Sequence, residues 1–184
     1  NDIDVSGGGI LLDQGIHMID IFNFFLGKLD VAHAIRTDSF WKCGVEDNAF
    51  VLLRSREGHI PAFLHSSSVL WKHTFQIDIG CREGYLSLSG FLSKTGSYGR
   101  EKLVIGKRQF EDESFALGNP REEIVYFDRD ESWEREVNEF IDAALERRVP
   151  RHGTLEDARH AMEIVRDVYV CEKLASKETY ESVV

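Results

Sequence analysis

The N-terminal part of the sequence combines a long apolar segment with a few isolated polar positions. Residues 9–26 are apolar at most positions, and a segment of this length favours a helix over a strand. Gly27 follows the last apolar residue, where a glycine commonly ends a helix. Because each helical residue advances about 100° around the axis, Asp13, His17 and Asp20 share one narrow stripe. The pattern predicts an apolar helix with a single polar stripe.

The middle of the chain changes to the period of two that is typical of β-strands. Two predicted strands flank a turn at residues 56–58, and two more flank a turn at residues 82–84. Further short strands are predicted within residues 101–110 and 122–128, and the segment 112–122 reads as a loop. Because short turns join neighbouring strands, their pairing must be antiparallel.

A helical period returns towards the C-terminus. The first helix there is predicted to end before Pro150 and to carry an apolar face made of Trp133, Val137, Phe140, Ile141 and Ala144. The second is predicted to begin at Thr154, which with Asp157 resembles a capping box. It extends to residue 176, and its predicted buried stripe consists of Ala158, Ala161, Met162, Val165, Val168 and Tyr169.

This order of elements predicts an α+β fold: an open, mostly antiparallel β-sheet with helices packed on one face. We expect residues 1–184 to form a single domain. Both faces of several strands are apolar, and the large residues concerned are Phe50, Leu52, Phe63, Phe75 and Ile77. The second face of the sheet is therefore expected to be partly buried against a partner chain or another domain.

Composition excludes some classes of partner. The chain of 184 residues has a formal net charge of -10 and no basic patch, which argues against nucleic acid and anionic membranes. Its three cysteines are far apart and form no CxxC pair, as expected for free thiols in the cytoplasm. No apolar run is long enough to span a bilayer. The missing initial methionine suggests a segment of a longer protein.

The polar stripe of the first helix is the main candidate for chemistry. Burial of an unpaired charge costs several kcal/mol, so these side chains must be paired, solvated in a cleft, or both. In one interpretation His17 is a general acid or base, Asp13 orients it or contacts the substrate, and Asp20 holds the histidine or the substrate. In the other, the three form a structural network. A metal site would need a third ligand that the spacing does not supply.

The glycine cluster has two interpretations. Gly8 and Gly9 could contact the phosphates of a cofactor at a helix N-terminus. However, Leu12 stands where a dinucleotide fingerprint has its third glycine, and no strand precedes the cluster. The alternative is a turn in which the backbone passes close to a ligand or another domain.

A second set of candidates follows the central strands. Trp71, Lys72 and His73 combine aromatic and cationic groups that suit the rim of a pocket for sugars or acidic groups. Tyr98 lies in a polar loop that could close on a substrate. An ordinary strand-end turn and an ordinary surface loop are the alternatives.

The first helix carries a recognisable motif. The segment "SGGGILLDQGIHMIDIFNFFLG" resembles the opening of the C-terminal domain of the Gfo/Idh/MocA family of NAD(P)-dependent oxidoreductases. The shared pattern is a glycine cluster, an apolar pair, Asp, Gly-x-His-x-x-Asp, an apolar helix and a final glycine. The closing helices also resemble this family, with Gly153, Asp157 and Ala158 in a step that is one residue longer than usual.

The resemblance implies one half of a two-domain cytoplasmic enzyme that forms homo-oligomers. A Rossmann domain would bind NAD or NADP, and this domain would bind a sugar, inositol, sugar acid or nucleotide-sugar. His17 would take the proton of the substrate hydroxyl, while Asp13 would bind a neighbouring hydroxyl or tune the base. The Rossmann fingerprint and the family's Glu-Lys-Pro lysine are missing, so the chain alone is expected to be inactive. A non-catalytic binding or dimerisation module, and a lyase or hydrolase that uses nicotinamide transiently, are the alternatives.

Overall fold

The structure, a computed structural model, describes residues 3–108 and 121–171. These fall into two compact units, one within residues 1–69 and 143–184 and the other within residues 70–142. The helical elements are α1 (Ile3–Ser6), a π-helical turn (Leu11–Gly15), α2 (Ile16–Leu26), α3 (Ser132–Glu146) and α4 (Leu155–Cys171). The strands are β1 (Leu29–Thr37), β2 (Asn48–Ser55), β3 (Pro61–Ser67), β4 (Gln76–Cys81), β5 (Gly84–Ser89), β6 (Glu101–Lys107) and β7 (Glu122–Phe127).

The first unit is built on a three-stranded antiparallel sheet in the order β1-β2-β3. Ala34 pairs with Val51, and Val51 with Leu64, so these three side chains share one face of the sheet. That face is buried against α2 and α4, where Ile19 and Val168 are fully buried in the same core. The period of two in β2 thus places its alternate residues in the core of the unit.

The other face of this sheet is apolar and exposed, as the sequence pattern indicated. Leu52 pairs with Phe63, and Ile35 lies on the same face of β1. The exposed fractions are 44% for Ile35, 44% for Leu52 and 62% for Phe63. A continuous exposed apolar surface on a sheet is typical of a site of contact with another protein surface.

The predicted first helix is present, but it is not one regular helix. Its start is the π-helical turn, in which the Ile16 N–H donates to the Leu11 carbonyl five residues back. From Ile16 onward it continues as α2. Gly27 ends α2 in the left-handed region with a φ of 70°, which confirms the predicted C-terminus. Helix α1 lies before the glycine cluster, where the sequence pattern predicted no element.

The second unit contains a four-stranded antiparallel sheet in which β4, β5, β6 and β7 each pair with the next strand. The tight turn between Cys81 and Gly84 is the one that the sequence predicted. The α+β class and the antiparallel pairing are thereby confirmed, and the described residues form seven strands in two sheets instead of about six in one. Most of the predicted loop 112–122 lies outside the described residues.

The C-terminal helices form where expected, but their apolar faces differ from the prediction. On α3, Trp133 and Phe140 are exposed by 75% and 67%, and in the described part of the chain only Ala143 of this helix is buried. On α4, Ala161, Val165 and Val168 are buried as predicted, whereas Ala158 and Met162 are exposed. An apolar stripe is buried only where another element packs on it, and the sequence pattern does not contain that information.

Two local features explain how α4 is held. Thr154 and Asp157 form the predicted capping box: the Thr154 N–H and Oγ1 donate to Asp157 Oδ2, and the Asp157 N–H donates to Thr154 Oγ1. His160 is buried, and its Nε2 accepts a hydrogen bond from the Leu29 N–H at 3.2 Å. The predicted continuation of this helix beyond Cys171 lies outside the described residues.

The cysteines and the length of the helices were also the subject of predictions. Cys43, Cys81 and Cys171 are all free thiols. Within residues 3–108 and 121–171, no helix combines the length and the apolar character that a membrane crossing requires.

Candidate active site

The three polar side chains of the first helix are exposed in the first unit. Asp13 lies within the π turn, and His17 and Asp20 lie on α2. Asp13 Oδ2 accepts a hydrogen bond from Gln14 Nε2 at 3.2 Å. Among the described residues no hydrogen bond joins His17 to either aspartate. The stripe is therefore solvated, and it does not form the buried structural network that was the alternative.

The opposite side of the same helix determines this orientation. Leu11 and Ile19 are fully buried against the first sheet. Gly15 is also buried, and a Cβ at this position would lie 2.8 Å from Leu11 Cδ1 and 3.4 Å from Ser66 Cβ. The helix packs on β3 at Gly15 without a gap, and the polar residues are left on the solvent side.

The glycine cluster packs against the chain itself. Gly8 and Gly9 are buried. A Cβ on Gly8 would lie 2.3 Å from Tyr169 Oη, and one on Gly9 would lie 2.1 Å from the Glu46 carbonyl oxygen. One interpretation of this cluster was close approach of the backbone to a ligand or another domain, but the neighbours are Glu46 and Tyr169 of the same unit.

Glu46 is the centre of a buried polar cluster beneath the start of the helix. It is 4% exposed, and its Oε1 accepts hydrogen bonds from the Gly9 and Leu11 N–H groups at 3.1 Å each and from Tyr169 Oη at 2.9 Å. Burial raises the pKa of Tyr169, and the charge and hydrogen bond of Glu46 raise it further. The Arg36 guanidinium lies 4.5 Å from the centre of the Tyr169 ring.

The adjacent residue, Asp47, fixes the loop between β1 and β2. Its Oδ2 accepts hydrogen bonds from the N–H groups of Phe40 at 2.6 Å and Trp41 at 3.2 Å. Burial tends to raise the pKa of Asp47, but hydrogen bonds from the backbone of Phe40, Ser39 and Trp41 and from the Asn48 side chain outweigh it and lower the pKa. Asp47 therefore stays ionised and holds a loop whose aromatic residues are about half exposed.

Sequence reasoning missed this cluster. The sequence pattern predicts Tyr169 as part of an apolar stripe and does not indicate Glu46 or Asp47 as site residues. The signals present were an acidic pair directly before an apolar strand and a tyrosine among aliphatic helix positions. Such signals become specific only when tertiary structure brings positions 9, 46 and 169 together.

The second unit holds the other predicted site residues. The His73 and Tyr98 rings are 5.1 Å apart with an interplanar angle of 82°, so the structure brings these two residues together. Phe91 and Phe75, which sequence reasoning did not select as site residues, extend this row of aromatic rings with centroid separations of 5.9 Å and 5.7 Å.

Trp71 and Lys72 lie next to this row in the sequence. Trp71 is 69% exposed and has a φ of 55°, a conformation that is uncommon for a bulky residue. Lys72 is exposed as well. The second unit thus presents exposed aromatic and cationic groups, which are suited to the faces of sugar rings and to acidic substituents.

The glycine cluster and the polar stripe were the two candidates for contact with a nicotinamide cofactor, and they differ in how well they fit one. The Gly9 N–H donates to Glu46, so it is not available to a phosphate oxygen in this arrangement. An exposed imidazole close in sequence to two exposed carboxylates does fit proton transfer beside a nicotinamide ring. No group of three His, Cys, Asp or Glu side chains suited to a metal ion occurs in the described ranges.

Comparison with known proteins finds a family model that is similar to the N-terminal part of the chain. Residues 2–87 match the family model described as the GFO/IDH/MocA C-terminal domain, a family of oxidoreductase domains. The matched segment contains the π turn, α2 and the whole first sheet. This match confirms the resemblance to that family that the motif around Asp13 and His17 indicated. No curated protein sequence matches the chain.

Three solved structures share the fold. A Desulfitobacterium hafniense protein, provisionally described as an NADPH-dependent oxidoreductase, matches with a TM-score of 0.71 and 20% identity over 92% of this chain and 48% of its own. YvaA from Bacillus subtilis, provisionally described as an oxidoreductase, matches with a TM-score of 0.70 and 14% identity over 90% and 50%. The aldose-aldose oxidoreductase from Caulobacter crescentus, complexed with glycerol, matches with a TM-score of 0.64 and 18% identity over 92% and 48%. The chain spans about half the length of each.

Proposed function

We propose that this chain is the substrate-binding and catalytic domain of an NAD(P)-dependent oxidoreductase that oxidises a hydroxyl-bearing carbon of a sugar-like molecule. The exposed stripe of Asp13, His17 and Asp20 within the family-matched segment carries the proposal. In this stripe an exposed imidazole lies between two exposed carboxylates in the sequence, an arrangement that is suited to proton transfer.

The roles follow from the chemistry of alcohol oxidation. His17 takes the hydroxyl proton as the carbon–oxygen double bond forms, and the carbon releases its hydrogen with the bonding electron pair. A bound nicotinamide supplies the acceptor for that hydride. Asp13 accepts a hydrogen bond from a neighbouring substrate hydroxyl or stabilises the imidazolium that forms, and Asp20 contacts the substrate.

The cofactor would be held mainly by a dinucleotide-binding domain that works together with this chain. This part of the proposal is supported by the length of the related structures, of which the chain spans about half. The 184-residue chain alone is expected to be inactive. Sugars, inositols, sugar acids and nucleotide-sugars are the proposed substrate class, and the aromatic and cationic groups at Trp71, Lys72, His73 and Tyr98 are proposed to bind such molecules.

The test is a screen of these substrates with NAD and NADP, using the protein expressed from its complete reading frame. On a substrate found in this way, His17→Gln is expected to lower kcat by about 10²- to 10⁴-fold, because proton transfer by a positioned base contributes that much. His33→Gln, which changes another exposed histidine, is the control and should retain activity.

The outcomes separate the alternatives. Unchanged turnover in a folded His17→Gln variant would remove His17 from the mechanism. Product without net NADH or NADPH would indicate transient use of the cofactor. No turnover of any substrate by the complete protein would favour a non-catalytic module.

A contact between two copies of the chain is a second proposal, supported by the outer face of the first sheet. Ile35, Leu52 and Phe63 form an exposed apolar surface on three antiparallel strands, and the same face of a second copy could pack on it by sheet-to-sheet contact. Light scattering should detect a dimer that Phe63→Glu weakens and Glu57→Gln does not. A monomer at working concentration would argue against this contact.

A further inference from the structure

We propose that Glu46 is a positioning residue for the candidate active site. Its buried carboxylate holds the π turn Leu11–Gly15 in register and thereby sets the angular offset between Asp13 and His17. This inference rests on the proposed function of those two residues, since the offset matters only if they act together on one substrate.

The contacts of Glu46 reach both sides of the point where the helix begins. Oε1 receives the N–H groups of Gly9 and Leu11, and the carbonyl oxygen of Glu46 accepts the N–H of Ile10 at 3.0 Å. Three consecutive N–H groups at the helix start are therefore satisfied by one residue of the loop before β2. Hydrogen bonds to an ionised acceptor are stronger than neutral ones, which makes Glu46 an effective anchor.

Tyr169 and Arg36 in turn hold the Glu46 carboxylate in place. Tyr169 on α4 donates its hydroxyl to the same Oε1 at 2.9 Å, and the Arg36 guanidinium packs on the Tyr169 ring. Gly9 leaves no space for rearrangement, because even a Cβ there would lie 2.8 Å from Glu46 Cδ. The Glu46 carboxylate thus has little freedom to move without displacing the helix start.

The π turn needs such an anchor because its register is an unusual one. A π turn closes its hydrogen bond over five residues instead of four, and single turns of this kind occur frequently at functional sites. Asp13 lies inside the turn, whereas His17 lies in the regular helix beyond it. A change from π to α register would rotate Asp13 around the helix axis relative to His17, and their side chains would no longer face a substrate in the same way.

Strand β3 contacts the turn at both of its ends. Ser66 Oγ donates to the Ile10 carbonyl at 3.2 Å, and Gly15 packs on Ser66. These contacts fix where the turn lies on the sheet. The hydrogen bonds to Glu46 fix the backbone at the start of the turn. Loss of the carboxylate should therefore allow the π turn to change to α-helical hydrogen bonding while the helix stays packed on the sheet.

The first experiment measures hydrogen exchange of individual amides by NMR in the 184-residue chain. In Glu46→Gln, the amides of Gly9, Leu11 and Ile16 are expected to exchange about tenfold faster or more, given the usual contribution of a hydrogen bond to a charged group. The Val51 amide in β2 should be unaffected. Tyr169→Phe should give a smaller change at the same amides, and Glu57→Gln, an exposed glutamate in a turn, should give none.

The second experiment measures steady-state kinetics in the protein expressed from its complete reading frame. Glu46→Gln is expected to lower kcat by about tenfold to a hundredfold with little change in KM, because a small misplacement of reacting groups has that effect on the chemical step. Glu57→Gln should leave both constants unchanged.

Three results would overturn the inference. Equal acceleration of exchange at Val51 would show that Glu46 only stabilises the unit, and an unchanged kcat would show that the register does not affect catalysis. If Glu46→Gln leaves kcat unchanged but His17→Gln abolishes turnover, the positioning role of Glu46 fails while the proposed function stands. If His17→Gln has no effect, the proposed function fails and the positioning role falls with it.

Discussion

The two units of this chain use charged and polar side chains in different ways. In the first unit, Glu46, Asp47 and His160 are buried, and each accepts at least one hydrogen bond from a backbone N–H group of another residue. In the second unit, charged groups pair at the surface, as Arg100 and Asp128 do with two contacts of 2.7 Å. Burial makes the first kind of contact costly to lose, whereas solvent replaces the second kind at little cost.

This difference shows which of the two units holds its segments in place by buried hydrogen bonds. The buried acceptors of the first unit hold the start of the helix that carries Asp13 and the loop before β2. The second unit relies on strand pairing, surface pairs and the row of aromatic rings around Tyr98. Substitutions in the first unit should therefore be the more destabilising, and matched pairs of variants can test this.

The largest effect is expected at Asp47. Asp47→Ala removes several hydrogen bonds to a buried charge and leaves the N–H groups of Phe40 and Trp41 unsatisfied, which should lower the free energy of unfolding by about 2–4 kcal/mol. The matched Asp78→Ala in the second unit loses exposed contacts and should change it by less than about 0.5 kcal/mol. Urea titration of both variants gives the comparison.

The pH dependence sharpens this prediction. Because folding lowers the pKa of Asp47, its contribution to stability is present above the ordinary carboxyl pKa of about 3.9 and is lost as pH falls through the lower folded value. The difference in stability between the wild type and Asp47→Ala should therefore be largest near neutral pH and shrink below about pH 4. A difference that persists unchanged at pH 3 would contradict an ionic role.

The next largest loss of stability is expected for Gly9→Ala, with Gly80→Ala as its matched control. Gly9→Ala would place a methyl group 2.1 Å from the Glu46 carbonyl oxygen, and such overpacking against backbone should cost about 1–3 kcal/mol. Gly80→Ala on β4 of the second unit meets no atom within 4 Å and should cost nothing measurable. Thermal unfolding distinguishes the two, and equal melting temperatures would show that the helix start can move.

Removal of the α4 cap should have a smaller effect. Thr154→Ala breaks the capping box with Asp157 and is expected to cost about 1 kcal/mol. Thr95→Ala, which changes a threonine in an exposed loop of the second unit, is the control and should have no effect on stability. A loss as large in Thr95→Ala would argue against the difference between the units.

The smallest effect is expected at His65. Burial of the ring, which stacks on Phe50 at 4.2 Å, lowers its pKa, so the folded state binds protons less readily than the unfolded chain. Stability should therefore decrease slightly as pH falls below about 6.5. His65→Gln should remove this part of the pH dependence, and an unchanged slope between pH 7.5 and 5.5 would exclude His65 as its source.

Much of the fold was accessible from the sequence because it depends on local patterns. The alternation in β2 and the turn at residues 82–84 predicted antiparallel strands, and Thr154 with Asp157 predicted the start of α4. The apolar face of α3 was predicted equally clearly, yet it is exposed. A periodic stripe shows that a face is suited to burial, but which element covers it is decided by packing.

The candidate site shows the same division. The stripe of Asp13, His17 and Asp20 and the family motif could be identified from spacing, and the structure exposes all three side chains. The π turn under Asp13 was predicted as ordinary helix, because it depends on contacts with Glu46, Tyr169 and Ser66 that lie far away in the sequence. The glycine cluster around Gly9 indicated that another group approaches the backbone closely at this position, but it did not indicate that the group is Glu46 or Tyr169.

The sequence by itself therefore determined most of the elements, the antiparallel pairing of strands joined by short turns and the polar stripe of the first helix, because periodicity, turn residues and capping act over a few neighbouring positions. Only the tertiary structure decided the register of the helix start, the partners of the glycines and which apolar faces are buried. Those properties depend on groups such as Glu46 and Tyr169 that are 123 positions apart in the chain and meet only when the first unit is folded.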